Sequence, residues 1–413
     1  MPGEPTFVVV GAGLAGAKTA EALRADGFEG RVVVVGDEVD RPYVRPPLSK
    51  GYLQGSADRG SIDVHPADWY AEHDVELQLG SAVTSVDPST HRVIRHDGVA
   101  LTYDKLLFAT GSTPRRLPVP GADLDGVLTL RRVGDSDRIR TGFARASRMV
   151  VIGAGWIGLE VTAAARATGV DVTVLEAAEL PLLSVLGREV ALVFADLHRA
   201  HGVDLRFGVG VTEITGNSSG RVTGVLLANG SRVDADLVVV GVGASPNTEL
   251  AVGAGLATDN GITVDAHLRT SDPDIFAAGD VANAFHPLLG RHIRVEHWAN
   301  ALNQPAVAAR SMLGLDAVYD RLPYFYTDQY ELGMEYSGYV EPGGYDEVVF
   351  RGDLQGLEFV AFWLRNQRVV AGMNVNIWDV NDTVQALISS RRPVDPSLLT
   401  DVSRPLANLL STG

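Results

Sequence analysis

The sequence of 413 residues contains no cysteine. That excludes disulfides, thiolate metal sites, a protein-held iron–sulfur cluster and a redox-active dithiol. It also has no stretch of about 18 apolar residues of the kind that spans a bilayer. The opening MPGEPT lacks a basic n-region, so neither a signal peptide nor membrane attachment is expected, and the cytoplasm is the expected compartment. Basic charge is in deficit, with a formal net charge of −16. A phosphate backbone needs a basic footprint, so nucleic acid is not an expected partner, and the acidity is read as a solubility feature. No nucleophile–histidine pair or metal-ligand spacing stands out; His297 has no such companions and is read as structural.

What is present is apolar: 46% of the chain, enough for the two or three domains its length suggests. The first apolar run, Phe7 to Val10, suits a buried parallel strand. It breaks at Gly11-Ala12-Gly13-Leu14-Ala15-Gly16, and helix-like sequence follows to Asp26. This is G-x-G-x-x-G between a strand and a helix, the setting in which the pattern marks a dinucleotide site. Gly11 allows the tight turn, Gly13 lets a pyrophosphate approach the backbone, and Gly16 lets helix pack on strand. A second strand, Arg31–Val35, runs into Gly36-Asp37-Glu38, and Asp37 stands where an acid accepts hydrogen bonds from an adenosine ribose.

The pattern then repeats. Met149–Ile152 reads as a strand, Gly153-Ala154-Gly155-Trp156-Ile157-Gly158 as a second fingerprint, Leu159–Thr168 as a helix with Glu160 in its first turn, and Asp171–Leu175 as a strand ending at Glu176. Two such units mean two dinucleotide sites. A carboxylate at Glu176 suits both ribose hydroxyls and repels a 2′-phosphate; alanines 177 and 178 follow instead of an arginine, so NADH is the expected nucleotide.

Between and after these units lie other candidates. Arg41–Lys50, rich in proline, reads as a rigid loop presenting Arg45, Ser49 and Lys50. Leu106–Ala109 is an apolar run that leads into Thr110-Gly111, and Pro114–Pro120 reads as a linker. Gly187–His201 has helical periodicity, and the strand Leu237–Val242 ends at Gly243. A strand through Phe276-Ala277-Ala278 delivers Gly279-Asp280, where the carboxylate is read as holding a polyol chain, a role compatible with capping a helix. Trp298, opening a helix to Leu313, lies either against an aromatic cofactor or in a core. From Tyr324 the chain is rich in strand formers, with helices read at Asp379–Ser390 and at the C-terminus.

Together GAGLAG at 11–16, RPYVRPPLSK at 41–50, ATG at 109–111, GAGWIG at 153–158, FAAGD at 276–280, EHWANALNQ at 296–304 and YFYTDQY at 324–330 resemble the oxygenase-coupled NADH:ferredoxin reductases. These are flavoproteins that feed cytochrome P450 and aromatic-ring dioxygenase systems. The resemblance covers essentially the whole chain, and RPPLSK discriminates most, because disulfide reductases place a cysteine pair near that position. It implies an α/β, glutathione-reductase-like architecture: two Rossmann-type dinucleotide-binding domains plus an α+β C-terminal domain. The FAD domain would be discontinuous, 1–112 and 246–320, the NAD domain 113–245, and residues 321–413 would close over the flavin. By position, Ala15, Asp37, Lys50, Val83, Arg131, Asp280 and Trp298 match FAD contacts, with Arg132 adjacent to Arg131. Gly155, Ile157 and Glu176 match NAD contacts. Gly11, Gly13, Leu14, Gly16, Arg45, Ala109, Thr110, Gly111, Gly279, Gly153, Trp156, Gly158 and Gly243 complete the expected nucleotide-binding set.

The implied chemistry needs no general base. NADH yields two electrons as a hydride, an iron–sulfur ferredoxin accepts one, and a flavin divides the pair. Lys50 is expected to pair with Glu160 beside the flavin, with Tyr326 and Trp378 bordering it. Ferredoxins are usually acidic, so docking calls for a local basic patch, for which Arg291, Arg294, Arg310, Arg365, Arg368, Arg391 and Arg392 are candidates. The expected chain is a monomer or weak dimer. A monodehydroascorbate or rubredoxin reductase, or an apoptosis-inducing-factor-like redox switch, remains open on the same scaffold; an NADH peroxidase or oxidase, which needs a catalytic cysteine, does not.

Overall fold

A computed structural model describes residues 4–410, which form two compact units. The first holds the described residues up to Val44, then Arg59–Thr113 and Ala244–Pro323. The second holds Arg45–Asp58, Pro114–Gly243 and the described residues from Tyr324.

The first unit is built on a five-stranded sheet in the order Ile275–Ala277, Lys105–Phe108, Thr6–Val10, Arg31–Val35, Val75–Gln78, with every neighbouring pair parallel. Val8, Val9, Val32, Val33 and Val34 are wholly buried, as strands covered on both faces require. The helix Leu14–Ala25 leaves the first strand directly and packs on the helix Trp298–Met312. Buried alanines at 17 and 20 on one side and 308 and 309 on the other suit that close approach.

The second unit repeats the pattern with the parallel order Asp204–Phe207, Asp171–Glu176, Arg148–Ile152, Leu237–Val240, Val127–Leu128. It also contains an antiparallel sheet ordered Tyr324–Gln329, Leu332–Gly338, Arg368–Val375, Glu358–Arg365, Glu347–Asp353, against which the helix Asn381–Ser390 packs. Phe359, Phe362 and Trp363 are fully buried, and the Trp363 indole donates to the Leu186 carbonyl at 2.9 Å. Two Rossmann-type folds with an α+β C-terminal segment make this a glutathione-reductase-like α/β architecture.

Three elements depart from the sequence reading. The second fingerprint's helix begins at Trp156, capped by Gly155, so Glu160 lies beyond the first turn and is buried. The helix Leu183–Ala200 starts before Gly187 and is broken there, at φ 77° and ψ 174°. That backbone conformation is essentially restricted to glycine, and a Cβ there would also stand 1.9 Å from the Tyr345 hydroxyl oxygen. At the C-terminus the expected helix is a short one, Pro396–Thr400, followed by a 3-10 turn, Leu406–Leu410. Among the described residues no helix is long and apolar enough to cross a membrane.

Candidate active site

The two glycine loops are built alike. At Gly11 (φ +120°) a Cβ would sit 2.2 Å from the Ala109 carbonyl oxygen, and at Gly16 it would sit 2.0 Å from the Gly11 oxygen. The corresponding approaches in the second loop are 2.4 Å at Gly153, to the Gly241 oxygen, and 2.1 Å at Gly158, to the Gly153 oxygen. The middle glycines differ from the outer ones: a Cβ on Gly13 or Gly155 would meet nothing within 4 Å. Each is the N-cap of its helix, so the free space lies where the first helical N–H groups, those of Leu14, Ala15 and Gly16 or Trp156, Ile157 and Gly158, have no acceptor within the helix. That is a cradle for a pyrophosphate, and both loops fit a dinucleotide.

Each loop has its acid. Asp37 is exposed just past the strand Arg31–Val35. Glu176 closes the strand Asp171–Glu176, where its carboxylate accepts the N–H groups of Ala154 at 2.7 Å and Ala178 at 2.8 Å. Ile157 is a large apolar side chain left 43% exposed at the start of its helix, and Trp156 packs on Phe325 and Phe194.

In the first unit the Ala109-Thr110-Gly111 turn is stitched to Asn247: Thr110 donates to the Asn247 carbonyl at 2.8 Å, and the Asn247 amide returns a bond to the Thr110 carbonyl at 2.7 Å. Gly279 comes close to Ala15, with 3.2 Å between its Cβ position and the alanine Cβ, and its N–H is taken by Gln304 at 2.7 Å. Asp280 lies in the 3-10 turn Gly279–Val281, past the end of its strand. It is not a helix cap, a place held by Ala278; its carboxylate accepts the Ser112 hydroxyl at 3.2 Å. His297 is the N-cap residue of the helix Trp298–Met312, and burial pushes its pKa down to about 4. Trp298 follows as the first helical residue and is partly exposed; Val83 opens the strand Val83–Asp87.

In the second unit the proline-rich segment folds into a 3-10 turn, Pro46–Ser49. Lys50 leaves it to place Nζ 2.8 Å from Glu160 Oε1. Ser49, expected as a presented residue, is instead buried, and its hydroxyl donates to Glu160 Oε2 at 2.5 Å. Thr327 supplies a third donor, to Oε1 at 2.5 Å. The sequence reading missed it: Thr327 and Gln329 alternate along one strand face, but that this polar face is buried is not legible in the sequence. Lys50 Nζ lies 5.7 Å from the centre of the Tyr326 ring. Burial, then the charges of Asp328 and Glu160, raises the Tyr326 pKa. Burial also raises that of Asp328, with Lys50 opposing and Glu160 reinforcing. Arg45 donates to the Arg131 carbonyl, while Arg132 is the exposed N-cap residue of the helix Val133–Phe143. Trp378 is 54% exposed and lies against Gly333.

Of the arginines proposed for docking, Arg294 is committed to Glu296 at 2.6 Å and the Asp280 carbonyl at 3.1 Å. Arg310 pairs with Asp26 at 3.2 Å but stays 43% exposed. Arg391 and Arg392 are exposed just beyond the helix Asn381–Ser390.

The family described as pyridine nucleotide-disulphide oxidoreductase matches residues 5–305, and the family described as reductase C-terminal matches residues 324–410. Putidaredoxin reductase CamA of Pseudomonas putida is 40% identical, over 100% of this chain and 98% of its own length. Rhodocoxin reductase of Rhodococcus erythropolis is 39% identical, over 96% of this chain and 92% of its own. The reductase in the covalent putidaredoxin reductase–putidaredoxin complex superposes with a TM-score of 0.95 at 40% identity, covering 98% of each chain. With both glycine loops in place and likeness along its whole length, the chain belongs to the pyridine nucleotide-disulphide oxidoreductase family, in the branch that holds putidaredoxin reductase and rhodocoxin reductase.

Proposed function

We propose that this chain oxidises NADH on a bound FAD and delivers the electrons singly to a [2Fe–2S]-type ferredoxin that serves a cytochrome P450 or an aromatic-ring dioxygenase. The observation that carries this reading is the full-length likeness to putidaredoxin reductase in a chain that keeps both glycine loops and has no cysteine. Without cysteine no disulfide can take the electrons, so they must leave for a separate acceptor.

FAD, when bound, supplies a group that accepts a hydride and gives up electrons one at a time. The chain binds and tunes it. Gly11, Gly13 and Gly16, with the N–H groups of Leu14 and Ala15, take the FAD pyrophosphate, Asp37 the adenosine ribose, and Asp280 the polyol hydroxyls. Val83, Arg45, Arg131, Ala109, Thr110, Gly111, Gly279 and Trp298 complete that set. Gly153, Gly155, Trp156, Ile157, Gly158, Glu176 and Gly243 take NADH. Lys50, held by Glu160, keeps a positive charge where electron density rises on reduction. In this reading residues 1–112 with 246–320 serve FAD, 113–245 serve NADH, and 321–413 cover the flavin. The cytoplasm, where NADH is supplied, is the compartment that fits.

Anaerobic titration of the yellow protein with NADH, followed by stopped-flow mixing with candidate ferredoxins, tests the proposal. Stoichiometric bleaching and rapid ferredoxin reduction are expected. A protein that stays colourless when supplied with flavin overturns it; slow transfer from a long-lived reduced complex favours a redox switch instead.

A further inference from the structure

Glu160 is the end of a longer line of hydrogen bonds. The Tyr330 hydroxyl lies 3.3 Å from His198 Nδ1, His198 Nε2 lies 2.8 Å from Gln329 Oε1, and Gln329 Nε2 donates to Thr327 Oγ1 at 3.3 Å. Thr327 then donates to Glu160 Oε1 at 2.5 Å. His198, Gln329, Thr327 and Glu160 are all buried, at 0%, 1%, 1% and 4% exposure.

Every hydrogen in this line points the same way. An amide oxygen only accepts, so His198 Nε2 carries the hydrogen facing Gln329. Burial pushes the His198 pKa down to about 4, so at neutral pH the ring has one N–H, and Nδ1 is left to accept from Tyr330. Thr327 has one hydroxyl proton, and while Gln329 donates to its oxygen that proton is free for Glu160.

We propose that His198, Gln329 and Thr327 are positioning residues, a one-way relay of donated hydrogen bonds that ends on the Glu160 carboxylate and fixes it against Lys50. Packing alone does not call for such a line, since apolar residues of similar volume fill an interior at no desolvation cost, whereas a polar network must be satisfied throughout. The relay also transmits change. If His198 loses its N–H, the Gln329 amide oxygen loses its donor. That oxygen can then turn to Thr327 and draw the only hydroxyl proton away from Glu160. The effect of the relay on a flavin rests on the function proposed above; its direction does not.

Two measurements test it. Nitrogen NMR of histidine-labelled protein, with or without flavin and assigned by His198→Leu, reads the tautomer. The Nε2–H form is expected, and the Nδ1–H form overturns the relay. The second measurement is the midpoint potential of the bound flavin together with the rate constant for its reduction by NADH. His198→Leu, Gln329→Met and Thr327→Val are expected to move the potential in one direction and to slow reduction about tenfold, the scale of one hydrogen bond to a charged group. His198→Gln, which restores an N–H, and Thr327→Ser, which restores a hydroxyl, are expected to recover much of the loss. Should His198→Leu fail to fold, the other two variants break the same line elsewhere. Variants that melt earlier but leave the potential and rate in place overturn the positioning role. A protein that binds no flavin refutes the proposed function, and the tautomer still decides the relay.

Discussion

The Glu176 carboxylate accepts the backbone N–H of Ala154 at 2.7 Å, so the acid at the end of one strand ties down the turn that ends its parallel neighbour. In the proposed function the residue also faces the NADH ribose, and one substitution separates the two duties. Glu176→Gln keeps an acceptor oxygen for the turn but removes the charge that repels a 2′-phosphate. The preference for NADH over NADPH, as a ratio of kcat/KM values, is expected to fall by about tenfold, equivalent to roughly 1.4 kcal/mol. Glu176→Ala is expected to relax the preference similarly and also to lose about 1 kcal/mol of stability to urea, because the turn loses its acceptor.

The glycines of the first loop should separate in the same manner. Gly13 has extended backbone (φ −91°, ψ −166°) and open space where a Cβ would be. Gly13→Val is expected to fold with a nearly unchanged melting temperature as apoprotein, yet to be purified with little flavin. Gly16→Ala drives a Cβ into the Gly11 carbonyl and is expected to cost about 3 kcal/mol or to prevent folding. Flavin-to-protein absorbance ratios and thermal melts of the apoproteins check both.

Lys50→Met leaves Glu160 buried without its cation. Apoprotein stability to urea is expected to drop by about 3 kcal/mol. The Lys50→Met/Glu160→Leu double variant is expected to regain part of that loss, because no uncompensated charge remains. Additive losses in the two single variants and the double would show that the pair is not coupled.

The buried His198 gives stability a pH dependence of known sign. Its folded pKa is about 4, below the 6.5 of the free side chain, so between those values the unfolded chain binds a proton that the folded chain refuses. Its contribution is complete above about pH 6.5 and is lost as the pH falls toward 4, by roughly 3 kcal/mol in all. Urea unfolding across that window should show a steeper decline for the parent protein than for His198→Leu.

Much of the fold was legible because both nucleotide-binding halves are local patterns: valine runs, glycine turns and acids at fixed spacing. Pairing across the sequence was less so. Lys50 and Glu160 were matched only through resemblance, and nothing near either residue announces that Ser49 and Thr327 share the same carboxylate. The proline-rich segment suggested a loop that offers Ser49 outward, whereas the 3-10 turn at Pro46–Ser49 buries it. Helix starts slipped because glycine is a weak cap signal: Gly155 begins a helix one turn earlier than periodicity suggests, and Gly187 interrupts one where periodicity suggests a start. Asp280 read as a ligand-facing carboxylate that could also cap a helix, and its place inside the 3-10 turn Gly279–Val281, with Ala278 as the cap residue, removes the second role.

The Trp363 indole on the Leu186 carbonyl and the Tyr345 hydroxyl over Gly187 mean that the terminal antiparallel sheet and the kinked helix share one interior. Recombination between reductases with a crossover near residue 324 would bring together halves that never adapted to each other. The two segments therefore form a matched set, and a change that remodels one calls for a compensating change in the other.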